Sequence, residues 1–310
     1  MPLTIVIALG GNALQQKGEA SADAQKRVAH LTVTQLVPLL REGHRLVIVH
    51  GNGPQIGNIV LHEEAINTEE VPTLPLDSSG AMSQGLIGYW LQQALINELS
   101  RVGMAMPVVT LVTQTLVDAH DPAFQSPSKP IGPFYATEAE ARARTSEVKE
   151  DAGRGWRRVV PSPAPQRILE VETVKQLMDT GTLVITAGGG GIPVVETEAG
   201  YSGVEAVIDK DFSAAVLADA IGADRLLILT SVDAAMRDFG TPEQAPIGKT
   251  TVPEMQQLLT EGHFKPGSML PKVQASIQFA QKDPNRQAVI TSLHAVGDAI
   301  EGKTGTLIRQ

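Results

Sequence analysis

The chain has no cysteine. Disulfide scaffolds, thiolate metal sites and cysteine nucleophiles are therefore excluded. Aromatic residues are scarce as well, with 6 Phe, 3 Tyr and 2 Trp in 310 residues. Positive charge is in deficit: 25 Lys and Arg against 34 Asp and Glu leave a formal net charge of −9. A general binder of nucleic acid or anionic membrane needs the opposite balance, because phosphate backbones attract cations. A local basic pocket stays open. No run approaches the ~20 apolar residues of a spanning helix. The N-terminal MPLTIVIALGGN also lacks the basic region and apolar length of a secretory signal. The expectation is a soluble cytoplasmic protein with no nucleic-acid and no membrane partner. His30, His44, His50, His62, His120, His263 and His294 show no H-E-x-x-H spacing.

What the chain has in quantity is glycine, 29 residues of it. Short apolar runs end in glycine clusters. Leu3–Leu9 stops at Gly10-Gly11-Asn12, Arg45–His50 at Gly51-Asn52-Gly53-Pro54, and Thr182–Thr186 is followed by Gly188-Gly189-Gly190-Gly191. Each run is apolar on both faces, as strands of a buried parallel sheet are. Helical spacing follows over residues 21–42, from residue 53 to about 67, and over 79–102. Pro107–Val112 reads as a strand, Leu169–Met178 as a helix, and Ala206–Gly222 as holding a helix that begins near Lys210. Further strands are expected at Arg225–Thr230, Gln287–Thr291 and Gly305–Ile308, with helices at Pro253–Glu261 and Met269–Lys282. This alternation predicts an α/β fold with a mostly parallel sheet.

Residues 118–165 break the pattern with seven prolines and a charged middle. The stretch is too long for an ordinary loop. It reads as an inserted lid subdomain, with Phe134, Tyr135 and Trp156 as its small core, or else as a disordered linker. Two halves result, 1–180 and 181–310.

In an open α/β sheet, ligands sit beyond the carboxyl ends of the strands, and helix N-termini there attract anions. Three glycine loops on one sheet edge would cradle a polyphosphate. The dinucleotide fingerprint fails at the four-glycine run, where Pro193 stands in place of its last glycine. Gly297–Thr304 has formal P-loop spacing, but only six residues follow it, so it reads as a turn. Three lysines stand in framed positions. Lys210 lies between Asp209 and Asp211 at a helix start, and Lys272 follows Gly267-Ser268-Met269-Leu270-Pro271 with Ser268 as expected N-cap. Lys129 opens the rigid Lys-Pro-Ile-Gly-Pro-Phe stretch. A lysine in a first helical turn opposes the dipole, which suggests a task other than helix support. Phosphoryl transfer needs such cations together with backbone donors. His50, beside Gly51, either lines this site or is structural.

Taken in order, these motifs resemble the carbamate kinase family of the amino-acid-kinase superfamily. The resemblance runs through Ala8–Ala13, His50–Gln55, Gln84–Trp90, Lys129–Phe134, Glu150–Arg157, Gly188–Val194, Gly203–Asp211 and Gly267–Lys272, nearly the whole chain. It implies one amino-acid-kinase domain over 1–310, a three-layer αβα sandwich with a protruding lid, and a homodimer. It implies reversible phosphoryl transfer between carbamoyl phosphate and ADP, giving ATP and carbamate, in the ATP-forming direction of arginine fermentation. Residues 1–180, with the lid, would hold carbamoyl phosphate through Gly10, Gly11, Asn12, Gly51, Asn52 and Gly53. Residues 181–310 would hold the nucleotide through Gly189, Gly190, Asp209, Ser231, Asp233, Gly267, Ser268 and Met269. Lys210 and Lys272 would neutralise the migrating phosphoryl, Asp211 would orient them, and Lys129 would reach in from the lid. Mg²⁺ would be carried by nucleotide phosphates and water, with no protein metal ligands. One segment departs from the family pattern: Ala234-Ala235-Met236-Arg237-Asp238 replaces an aromatic and an Asn ahead of Phe239-Gly240. Another acid or nucleotide kinase of the superfamily, and a non-catalytic nucleotide sensor, stay open as alternatives.

Overall fold

The computed structural model describes residues 2–14, 19–145, 147–151, 153, 155–265 and 267–310, and of Asn12 the backbone alone. A central sheet is built from β1 (Thr4–Leu9), β2 (Arg45–His50), β3 (Val108–Thr110), β4 (Leu183–Ile185), β5 (Arg225–Thr230), β6 (Lys249–Thr251), β7 (Gln287–Ser292) and β8 (Thr306–Arg309). Its spatial order is β6-β8-β7-β5-β1-β2-β4-β3. Pairings are parallel throughout except β7 with β8, so the sheet reverses only near one edge.

The alternation along each strand builds two cores at once. Ile5, Ile7 and Leu9 of β1 point to one face, where Leu46 and Ile48 of β2 join them. There they meet α1 (Ala22–Arg41), α3 (Leu76–Arg101) and the short α9 (Val296–Ile300). Val6, Ala8, Val47 and Val49 point the other way, onto α5 (Val171–Asp179), α6 (Lys210–Ala220), α7 (Val252–Thr260) and α8 (Met269–Ala280). Side chains of successive strand residues face opposite sides, so a run apolar at every position needs cover on both. The result is the expected three-layer αβα arrangement. None of the described helices is long and apolar enough to cross a membrane.

Register brings the functional loops level. Leu9 lies beside His50 on one side and Leu229 on the other, and Thr230 beside Ser292. The chain leaves β1, β2, β5 and β7 at one edge, at Gly10, Gly51, Ser231 and Leu293.

Two helix starts differ from the periodicity, and distant partners explain both. The third helix begins at Leu76, three residues early, because Glu205 accepts from the Leu76 amide at 2.9 Å. The fifth begins at Val171, two residues late. Leu169 N donates to Gln114 O, and Glu170 accepts from Gln114 N at 2.8 Å, which holds this segment against a strand. That strand belongs to a small second sheet ordered Gly200–Gly203, Ile192–Thr197, Gln114–Val117 and Pro165–Ile168.

The proline-rich stretch carries a small sheet of its own. Lys129–Tyr135, Trp156–Val160 and Val148–Glu150 form an antiparallel three-stranded sheet, with α4 (Glu138–Arg142) started by a Thr137–Glu140 capping box. Its expected aromatic core is corrected. Phe134 is exposed, Tyr135 and Trp156 are half-buried, and the buried apolar side chains are Ile131, Ala141, Val148, Val159 and Val160. The small sheet ties down both lid ends, because Gln114–Val117 and Pro165–Ile168 pair antiparallel. The Gly297–Thr304 segment ends α9 and turns into β8, so it forms no phosphate loop ahead of a helix.

Candidate active site

Three compartments lie along this sheet edge. One chamber, of about 210 Å³, is walled by Gly51, Asn52, Gly53, Pro54 and Gln55, by Lys129, Pro130, Asp151 and Arg157 of the lid, and by Gly189. A second cleft, of about 410 Å³, is walled by Gly10, Thr230, Ser231, Ser268, Lys272, Ser292 and His294. Gly11, Lys210 and Gly267 belong to both, so Lys210 stands where the two meet. A mostly apolar recess of about 150 Å³ opens beside the second cleft, between Val232, Ala234, Met236, Phe239, Phe264 and Met269.

The first chamber rests on the start of α2 (Gly53–Ile66), with Pro54 in its first turn and Asn52 at the N-cap position. Asn52 does not cap. Its Nδ2 donates instead to Ser83 Oγ at 2.8 Å, which leaves the helix start open toward the chamber. The four-glycine run passes directly beneath. At Gly189, φ is +65°, and a Cβ would collide with the Asn52 amide. At Gly188 a Cβ would collide with the His50 ring. His50 is thus structural: it is 1% exposed, its Nδ1 lies 2.9 Å from Gly51 O, and burial pushes its pKa down to about 4.

Charge is concentrated where α6 begins. Lys210 Nζ donates to Asp211 Oδ1 at 2.9 Å, and Lys272 Nζ, from the first turn of α8, donates to Asp211 Oδ2 at 2.8 Å. One buried carboxylate therefore aligns two ammonium groups. Asp209 Oδ1 caps the helix by accepting from Asp211 N at 2.9 Å, while its Oδ2 takes Lys129 Nζ of the lid at 2.6 Å. Burial works against the charged form of both aspartates. The lysines outweigh it and hold both carboxyls below the usual range, Lys129 contributing most at Asp209 and Lys210 most at Asp211. Burial pushes the Lys210 ammonium down, with Asp211 pulling the other way. Lys272 is also buried, but Asp211 and Asp209 prevail there and raise it. Three lysines against two aspartates leave one net positive charge in a desolvated spot, an arrangement that attracts an anion.

Most of the sequence-predicted residues converge here. Gly10, Gly11, Gly51, Asn52, Gly53, Lys129, Lys210, Lys272, Ser231, Gly267 and Ser268 line the two larger compartments, and Met269 the recess. The Asn12 side chain lies outside the described residues. Gly189 sits on the Asn52 side of the chamber. Gly190 is buried against Ile208, and its carbonyl accepts from Thr115 and Ser213 at 2.8 and 2.7 Å. Asp209 faces the lid lysine, and Asp233 is exposed outside these compartments. Ser268 occupies the N-cap position of α8 but makes no capping bond, because its backbone (φ −131°, ψ −93°) departs from cap geometry. Sequence reasoning missed Arg157 and Asp151, an ion pair at 3.1 Å in the chamber wall. The signal was present in the Glu150–Arg157 motif, of which Ala152 and Arg154 fall outside the described residues. Gln55 was also missed although it closes the His50–Gln55 motif, and Thr230, Ser292 and His294 were missed without any such signal.

The amino acid kinase family model matches residues 3–292. A carbamate kinase from Pyrococcus horikoshii is 49% identical, with 99% of each chain covered. Carbamate kinase 1 from Enterococcus faecium is 50% identical, with 94% of each covered. Among solved structures, carbamate kinase from Giardia lamblia bound to AMP-PNP has a TM-score of 0.90 at 42% identity, over 99% of this chain and 98% of that one. The chain belongs to the amino acid kinase family, among its carbamate kinases. It is a phosphotransferase. The family fold accounts for the shared edge of the two clefts, and its carbamate kinases are matched along the whole chain, lid included. The departure at Ala234–Asp238 falls on the apolar recess, where Met236 and Phe239 form part of the wall. It leaves the Lys210–Asp211–Lys272 cluster untouched.

Proposed function

We propose that the chain moves a phosphoryl group between carbamoyl phosphate in the chamber beneath the lid and ADP in the larger cleft, giving ATP and carbamate. The observation that carries this reading is the Asp211-aligned pair Lys210 and Lys272 at the junction of the two compartments. In the ATP-forming direction, the bond between phosphorus and the carbamoyl oxygen breaks, and one forms to a terminal ADP oxygen. Both electron pairs stay on oxygen. Carbamate leaves as an anion and then breaks down to ammonia and CO₂. No proton must be taken from the nucleophile in either direction, so no general base is needed. Positioning and charge stabilisation carry the rate. Lys210 meets the migrating group, Lys272 holds it from the nucleotide side, and Lys129 binds the carbamoyl phosphate anion. Nucleotide contacts come from residues 181–310, with the base in the recess at Met236 and Phe239. No group of three or more His, Asp or Glu suited to a metal occurs among the described residues. Mg²⁺ would come with the nucleotide, held by phosphate oxygens and water, and would supply charge neutralisation. We assign the reaction to the cytoplasm, with ATP formation in arginine fermentation as its direction.

We further propose a homodimer through the outer face of α3. Met82, Leu86, Tyr89 and Ile96 recur there at helical spacing and stay exposed, next to Val112 and the open edge strand β3. Sedimentation of Tyr89→Asp should give a monomer where the parent chain gives a dimer.

The test of function is purified protein with ADP, Mg²⁺ and carbamoyl phosphate, followed for ATP. Lys210→Ala and Lys272→Ala should each lose about 10²–10³-fold in kcat while still binding ADP. Tight ADP binding without ATP formation by the parent chain would overturn the reading in favour of a sensor. Normal turnover in either lysine variant would overturn the site assignment.

A further inference from the structure

The lid is fixed at its roots by the small sheet, but its chamber side rests on α2. The contact is a small apolar cluster of Ile56, Leu76, Ile131, Val160 and Val207. At its centre, Gly57 of α2 faces Gly132 of the lid, backbone against backbone. A Cβ on Gly57 would fall inside the Gly132 Cα and N atoms. A Cβ on Gly132 would lie 3.6 Å from Gly57 Cα. Gly57 is helical and has no positive φ, so no torsion requires glycine there. Glycine is a poorer helix former than alanine, and the close approach of the lid is what this glycine permits.

The facing peptide is held from the other side as well. Arg157 Nε and Nη2 both donate to Gly132 O, at 3.0 and 2.7 Å. Two turns further along α2, Glu64 accepts from Arg158 Nη1 at 2.6 Å. Gly132 lies three residues beyond Lys129 on one strand, and Arg157 and Lys129 both wall the chamber. The height at which Gly132 sits on α2 therefore sets how far Lys129 reaches in.

We infer that Gly57 is a positioning residue for the phosphoryl-transfer site, acting through the lid on Lys129. It touches no substrate; it is the seat that lets the lid come down far enough. This rests on the reading that Lys129 binds carbamoyl phosphate.

The test is Gly57→Ala, Lys129→Ala and the double variant, each assayed for the carbamoyl phosphate KM, for kcat and for ADP affinity. Alanine is the better helix former, so α2 itself gains from the change. A displacement of about 1 Å at a binding group is enough for large losses. Gly57→Ala should raise the carbamoyl phosphate KM about tenfold or more, with ADP affinity within twofold of the parent. In the Lys129→Ala background it should add less than twofold, because the two changes act through one group. A KM within twofold of the parent, additive effects in the double variant, or loss of ADP binding would each overturn the inference. Lys129→Ala with an unchanged KM would instead defeat the assignment of Lys129, and with it any action through that residue.

Discussion

Asp211 holds two ammonium groups with one carboxylate, so replacing it with asparagine tests the site's electrostatics directly. The shape stays nearly the same, and the charge goes. At an effective dielectric of about 20, a pair at 2.8–2.9 Å is worth roughly 6 kcal/mol. Desolvation offsets much of that, and removing one partner of a buried pair costs about 3–5 kcal/mol. Unfolding entropy for 310 residues is about 0.65 kcal/mol per kelvin. Asp211→Asn should therefore lower Tm by about 5–8 °C and leave a folded protein. The loss should depend on pH. Without Asp211, burial acts on Lys210 with less opposition, so the folded state binds fewer protons than the unfolded one over the range where that lysine titrates. Stability then rises with pH, and the Tm deficit should shrink between pH 6 and pH 9. The same loss of protonation weakens the charge that meets the phosphoryl group. We expect kcat for ATP formation to fall about 10²–10³-fold, with its alkaline limb starting at lower pH than in the parent. Differential scanning fluorimetry and a luciferase-coupled assay across pH 6–9 measure both. A kcat within threefold of the parent, with a Tm deficit that does not change with pH, would refute the reasoning.

His50 gives a second pH signature. Its pKa near 4 in the folded chain, against about 6.5 unfolded, means that its contribution is complete above pH 6.5 and is lost as pH falls. Between pH 7 and pH 4 the parent should lose about 3 kcal/mol more than His50→Gln by urea denaturation. Asp209→Asn keeps a capping side chain but removes the charge that holds Lys129, so the carbamoyl phosphate KM should rise several-fold, and Tm should fall by less than in Asp211→Asn, because the Lys129–Asp209 pair is partly exposed. Leu36→Ala, at a fully buried position beneath the first core, should cost about 2–5 kcal/mol and leave the kinetic constants intact.

Most of the fold was readable from periodicity. Residues 5–9 and 46–49 are apolar at every position, which favours a strand covered on both faces. Glycines at their ends placed the loops, and parallel alternation placed those loops on one edge. Lys210 and Lys272 were readable for a similar reason, because each stands in a first helical turn where its charge is out of place locally. Boundaries failed where a distant group intervened, as Glu205 does at Leu76 and Gln114 does at Leu169. The lid's core failed because its few aromatics drew the prediction. Ile131, Ala141 and Val148 fill it instead, and no local pattern marks them.

Roles within the site divide along the same line. The sequence by itself determined the alternation of strands and helices, the glycine-lined strand ends and the three lysines, because each of these follows from neighbours a few residues apart, and together they carried the family resemblance. Only the tertiary structure decided that Asp209 answers Lys129 across 80 residues. Only it set Gly189 against Asn52 and seated the lid on Gly57. These are contacts between segments that meet through packing of the whole sheet and its lid. Their geometry is set by backbone approach and charge pairing at a distance, which no local spacing encodes.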